Sequence, residues 1–159
     1  MSQRLQNWSE WNTDERLQEL LRIDSSLSLD EIEQLLPTVQ DTESDDILRI
    51  EIWKVLGLYS DESSKPLIRT TVHDHWQHEQ DEEYVQIAML EALGAMDAEP
   101  KDIQLAISIV QSEEYILVRS AAFALLRYHR HIPQAREALE QLQTDPDFGQ
   151  SAIQALQEQ

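Results

Sequence analysis

The chain has 159 residues, 41% of them hydrophobic, with no cysteine, three glycines and five prolines. That is enough for one domain with its own core. It excludes a disulfide scaffold, a thiolate metal site and a cysteine nucleophile, and so few glycines argue against a barrel or sandwich of many short strands. Thirty-one acidic against 12 basic side chains give a net charge of −19, which repels phosphate backbones and anionic lipid and steers basic proteins inward.

Residues 1–11, MSQRLQNWSEW, contain no apolar h-region. No apolar run reaches the roughly 18 residues that span a bilayer. A soluble, cytoplasmic protein with neither a nucleic-acid nor a membrane partner is expected. Trp8 and Trp11 stand one turn apart and are expected to pack across a first hairpin.

Thr13 is a candidate cap for a helix through Leu17, Leu20 and Leu21 that ends near Asp24. Ser28 with Glu31 is a capping box opening a helix with Leu29, Ile32, Leu35 and Leu36, which Pro37 is expected to stop or kink. From residue 41 the chain becomes repetitive. Inner helices are predicted from near Asp45 and Asp46 (Leu48, Ile52, Val55, Leu56), near Glu83 (Val85, Ala88, Met89, Ala92, Leu93), near Glu114 (Val118, Ala121, Ala122, Leu125, Leu126) and near Pro146 (Ala152, Ile153, Ala155, Leu156). Gly57 and Gly94 fall where C-cap glycines belong.

Between the inner helices lie others with proline near their starts, at Pro66, Pro100 and Pro133, spaced 34 and 33 residues apart. Helix-hairpin solenoids use this period, because each hairpin buries its apolar face only against a neighbour. The helix in 84–96 is apolar nearly all round, so it is expected to be covered on most sides. The last helix, with Gln150, Gln154, Gln157 and Glu158, is polar enough to be a terminal cap.

The segments YVQIAMLEALG (84–94) and ILVRSAAFALLRY (116–128) carry an apolar residue, a polar or basic one, small residues and then a Leu pair, as in Val118, Arg119, Ala121, Ala122, Leu125 and Leu126. This pattern resembles the second helix of HEAT repeats, including those of the phycobilisome-lyase type. The resemblance covers roughly residues 45–159. It implies an all-α, right-handed α-solenoid of about four to five hairpins, with residues 1–40 as a degenerate N-terminal hairpin and 41–159 as repeats of a single domain. It departs from the pattern at Glu51, which stands where the other repeats have Ala88 and Ala121. The tetratricopeptide signature is absent.

His73-Asp74-His75-Trp76-Gln77-His78-Glu79 is the place to look for a metal, since His75 and Glu79 lie one helical turn apart. HExxH is missing and no distant ligand stands out, so a polar helix end is expected. His129 and His131 are read as helix-terminal groups. No nucleophile elbow, phosphate loop or dinucleotide fingerprint occurs. Catalysis, a cofactor and a metal are therefore not expected.

Acids gather before each inner helix: Asp45 and Asp46, then Asp81, Glu82 and Glu83, then Glu113 and Glu114, then Asp147, with Tyr84 and Tyr115 beside them. In a solenoid equivalent turns align, so these residues would form an acidic ridge for a basic protein partner, with Trp76 as an exposed anchor. Acids at helix N-termini also cap free N–H groups and oppose the macrodipole, and both readings stand at this point. The binding reading makes the chain an interaction module, in concrete form an immunity protein or inhibitor of a basic toxin such as a nuclease. The resemblance also allows a bilin lyase or cofactor-attachment chaperone, which would hold a linear tetrapyrrole, or a structural adaptor subunit. The oligomeric state is not encoded in these patterns.

Overall fold

Two reciprocal caps set the first helices. In the computed structural model, which describes residues 4–79 and 82–158, the Glu15 N–H donates to Asn12 Oδ1 at 2.9 Å and the Asn12 N–H donates to Glu15 Oε1 at 3.1 Å. Helix α1 (Thr13–Leu21) is thus capped by Asn12 rather than Thr13, because the amide oxygen one residue earlier reaches the same free N–H groups. Helix α2 (Leu29–Gln40) opens with the expected Ser28–Glu31 box.

Pro37 does not stop α2, which continues to Gln40. The proline lies on the exposed side, where water can satisfy the carbonyl left without its N–H partner. The turn beyond it buries Thr38 and Val39, which holds the helix together past the break.

Helix α3 (Asp46–Tyr59) is capped by Asp45, whose Oδ1 accepts from the Leu48 N–H at 3.1 Å. Helix α4 (Lys65–His75) carries Pro66 in its first turn. A 3-10 turn, Trp76–Glu79, follows, and α5 (Glu83–Gly94) comes next. After these come α6 (Pro100–Val110), α7 (Ile116–Tyr128), α8 (Pro133–Gln141), a 3-10 turn at Leu142–Thr144 and α9 (Gly149–Gln157). The described residues form an all-helical protein without a named strand. None of its helices is long and apolar enough to cross a membrane.

The chain divides into two compact units, Met1–Ala95 and Met96–Gln159. In the first, α3 is central and packs on α1, α2 and α5. Its core joins Ile32, Leu35 and Val39 of α2 to Leu48, Ile52, Trp53 and Leu56 of α3 and to Val85, Met89 and Leu90 of α5. Helix α5 is covered on several sides, as its sequence requires: Val85, Gln86, Ala88, Met89, Leu90, Ala92 and Leu93 are all buried.

Neither Gly57 nor Gly94 adopts the left-handed conformation of a C-cap glycine, since no described glycine has positive φ. Gly57 lies inside α3, two residues before its end. A Cβ added there would sit 3.0 Å from the Ala92 Cα. Its role is close approach of α3 to α5, not helix termination.

In the second unit α7 packs on α6 and α8, and α8 packs on α9. Val118, Ala122, Leu125 and Leu126 meet Ala135, Leu139 and Ala152 in its core. Phe123 stacks on Phe148 with ring centroids 5.3 Å apart.

Candidate functional site

Helices α3 and α5 lie side by side, and each has an acidic first turn. The second residue of each is a large apolar side chain left open to water: Ile47 is 62% exposed and Tyr84 64%. A buried helix pair gains nothing from such residues, since burying either would stabilise by about 1.5–3 kcal/mol. In the second unit Leu117 holds the same position in α7 and is also exposed, next to exposed Ile116 and Tyr115.

The carboxylates around these residues divide into two kinds. Asp45 is the α3 cap, and helix stability accounts for it. Asp46 and Glu82 also sit at helix N-termini, where acids oppose the macrodipole, but neither side chain caps a free N–H among the described residues. The Glu82 carboxyl lies within the electrostatic reach of Asp46, and neither makes an ion pair among the described residues. Asp46, through hydrogen bonding and then, after partial burial, through its charge, raises the Glu82 pKa above the ordinary carboxylate value; Arg49 opposes this and Glu83 adds to it. Glu83 and Tyr84 continue this edge. Asp81 lies outside the described residues.

A buried ionic network underlies the edge. The Arg49 side chain is fully buried. Its Nε and Nη2 donate to the Val39 carbonyl at 3.1 and 2.9 Å, and Nη2 also donates to Glu79 Oε1. His75 Nε2 lies 2.8 Å from the same carboxylate oxygen. Burial lowers the His75 pKa, with help from His78 and Arg49, so the neutral imidazole donates to Glu79. Burial also lowers the Arg49 pKa, while Asp46, Glu82 and Asp41 oppose that shift. One guanidinium therefore ties the end of α2 to the turn that leads into α5. Arg49 Nη1 and Glu79 Oε2 have no hydrogen-bond partner among the described residues.

The histidine-rich segment is thus engaged internally. The Glu79 carboxylate is committed to Arg49 and His75, and no group of three or more potential metal ligands occurs among the described residues. Trp76 is a correction to the sequence reading. It is only 7% exposed, because the chain tightens into a 3-10 turn that folds its ring inward, and it offers no anchor to a partner.

The second unit repeats the arginine device. Arg119 Nε donates to the Val110 carbonyl at 2.8 Å, and Nη1 donates to Asp147 Oδ2 at 2.9 Å. Its guanidinium lies 5.1 Å from the centroid of the Phe148 ring. Asp147 is accordingly held by an ion pair. Glu113 is exposed and Glu114 half-buried, with the Glu114 N–H donating to Ser112 Oγ at 3.1 Å.

Sequence reasoning named the acids, Tyr84 and Tyr115, and did not name Ile47, Leu117 or the structural role of Arg49. The signal was present in the register. Ile47, Tyr84 and Leu117 are each the second residue of an inner helix, and Arg49, Gln86 and Arg119 are each the fourth. Comparison with protein-family models, curated proteins and solved structures gave no match.

Proposed function

We propose that this chain is a protein-binding helical-repeat module that engages a basic protein through the acidic edge bearing Ile47 and Tyr84. In its concrete form it is a cytoplasmic immunity protein or inhibitor that neutralises a basic toxin such as a nuclease. The reading takes the hairpins as HEAT-like repeats stacked into a right-handed solenoid. Glu113, Glu114 and Tyr115 are the corresponding residues of the second unit.

The observation that carries it is the Asp46–Glu82 pair beside two open apolar side chains. Helix capping accounts for single acids, and like charges brought together oppose folding unless something else uses them. A cationic partner would offset that repulsion and bury Ile47 and Tyr84 at the same time. Acidic patches facing basic sites speed association and make it salt-dependent.

The test is capture and rescue with the product of a neighbouring toxin-like gene. E82K with E83K is expected to slow association at least tenfold and flatten its salt dependence. Y84A is expected to speed dissociation, since a buried aromatic anchor acts mainly on the off-rate. Unchanged binding in both variants rejects the edge.

A further inference from the structure

Helices α3 and α5 leave a face uncovered that runs well beyond the first turns of the edge. Helix α3 buries Leu48, Arg49, Ile52, Trp53, Val55 and Leu56. On its other side Ile47, Ile50, Lys54 and Leu58 follow one another at spacings of three and four residues and stay at least partly open. In α5 the open residues are Tyr84, Ile87 and Glu91, again three and four apart. Leu58 is 74% exposed, and Ile50 and Ile87 are half-buried.

Two contacts fix how these stripes lie. Asp46 and Glu82 are within electrostatic reach at the start of the two helices, and Gly57 meets Ala92 near their ends. The helices therefore run parallel. Gly57 continues the row of Ile50 and Lys54 on α3, and Ala92 continues the row of Ala88 on α5. Viewed from the N-termini, the open stripe lies clockwise of this contact row on α3 and anticlockwise of it on α5. Both stripes thus face the same side of one seam, with Ile50 nearest its floor. From Ile47 to Leu58 the seam is about 16 Å long, or about three helical turns.

We infer that the α3–α5 seam receives an amphipathic, cationic helix of the protein partner, its apolar side on Ile47, Ile50, Leu58, Tyr84 and Ile87. The inference rests on the reading that the partner is basic, and it extends contact beyond the edge. The charges select the occupant. Asp46, Glu82, Glu83 and Glu91 border the seam and make no ion pair among the described residues. The cation on the stripe, Lys54, is paired with Glu51 at 3.2 Å. A second copy of this chain would set these acids against each other, whereas lysine or arginine beside an apolar stripe would neutralise them. The backbone selects a helix. Within α3 and α5 the N–H and carbonyl groups are used by the helices themselves, so an incoming strand finds no edge to extend, while a helix needs only apolar rows at matching spacing.

The experiment titrates the full chain with the amphipathic peptide acetyl-(Leu-Lys-Lys-Leu-Leu-Lys-Leu)2-amide and maps amide shifts by ¹H–¹⁵N NMR. A saturable shift spread over Ile50, Leu58, Tyr84 and Ile87 is expected. I50Q with I87Q should weaken the peptide about fivefold, and L58Q about threefold, each keeping the native helical circular dichroism. Leu58 is exposed enough that its replacement leaves the core untouched. Acetyl-(Leu-Lys)7-amide, of equal length but strand-like period, and spermidine should each bind about tenfold more weakly. The inference is overturned if no saturable shift occurs, if the shifts stay confined to the first turns around Tyr84, if L58Q binds unchanged, or if spermidine or the alternating peptide matches the helical one. Capture of the natural partner separates the two readings. Capture that is lost in E82K with E83K but unchanged in L58Q and in I50Q with I87Q keeps the edge and rejects the seam. A peptide held on the seam by a chain whose partner capture ignores E82K with E83K keeps the seam and rejects the edge.

Discussion

Arg49 and Arg119 hold the same place in α3 and α7 and make the same two kinds of bond, yet their surroundings differ. Each reaches back to a valine carbonyl at the end of the preceding helix and forward to a carboxylate in a later turn. The Arg49–Glu79 pair is completely buried, whereas Arg119 pairs with an Asp147 that is 52% exposed. At the same register in α5, Gln86 is buried and neither of its amide atoms has a hydrogen-bond partner among the described residues. The comparison teaches that one local device contributes according to its solvation. Buried, it becomes a constraint on the fold; at the rim, water can replace much of it.

The largest test removes the buried cation. R49M should leave the Glu79 charge uncompensated and cost about 3–5 kcal/mol in urea denaturation. R49M with E79L should recover much of that loss. If the single variant costs no more than 1 kcal/mol, burial is not what separates the two arginines. R119M should cost less, about 1–2 kcal/mol, from the lost hydrogen bond to Val110 and a partly exposed pair. An equal cost for both arginines would break the comparison.

The smallest effect sharpens the electrostatics of the edge. The folded-state pKa of Glu82 is raised, so the folded chain holds this proton more tightly than the unfolded chain does. Its contribution therefore favours the fold below the ordinary carboxylate pKa and is lost as pH rises through the folded value. E82Q should abolish that dependence in a stability-against-pH series and slightly stabilise the protein at neutral pH. His75 works the other way. Its lowered pKa means that stability falls on acidification through its unfolded value near 6.5, and H75Q should remove that part of the curve.

The helices were legible in the sequence because their signals are local. The Ser28–Glu31 box, the prolines opening α4, α6 and α8, and the apolar α5 were all read from periodicity and capping residues. Errors arose where tertiary contact overrides a local rule. Gly57 answers to a neighbouring helix rather than to its own end, and of the two outcomes expected at Pro37, a stop or a kink, the stop does not occur because the residues after it are buried. Trp76 looked exposed because its neighbours in sequence are polar, whereas burial depends on its neighbours in space. The acidic turns were visible as composition. The influence of Asp46 on the Glu82 pKa was not, since it needs two turns 36 residues apart to come near each other. Arg49 was hidden for a similar reason, because an arginine within a helical pattern reads as surface until its two partners, the Val39 carbonyl and Glu79, are known.

The contact at Gly57 reaches beyond its own neighbourhood. The missing methyl lets two rods touch near one end, and that point acts as a fulcrum for the pair. A methyl group there would meet the Ala92 backbone and force the two rods to give by a few tenths of an ångström. How tightly these two helices close is therefore set by the absence of one methyl group, not by any charge.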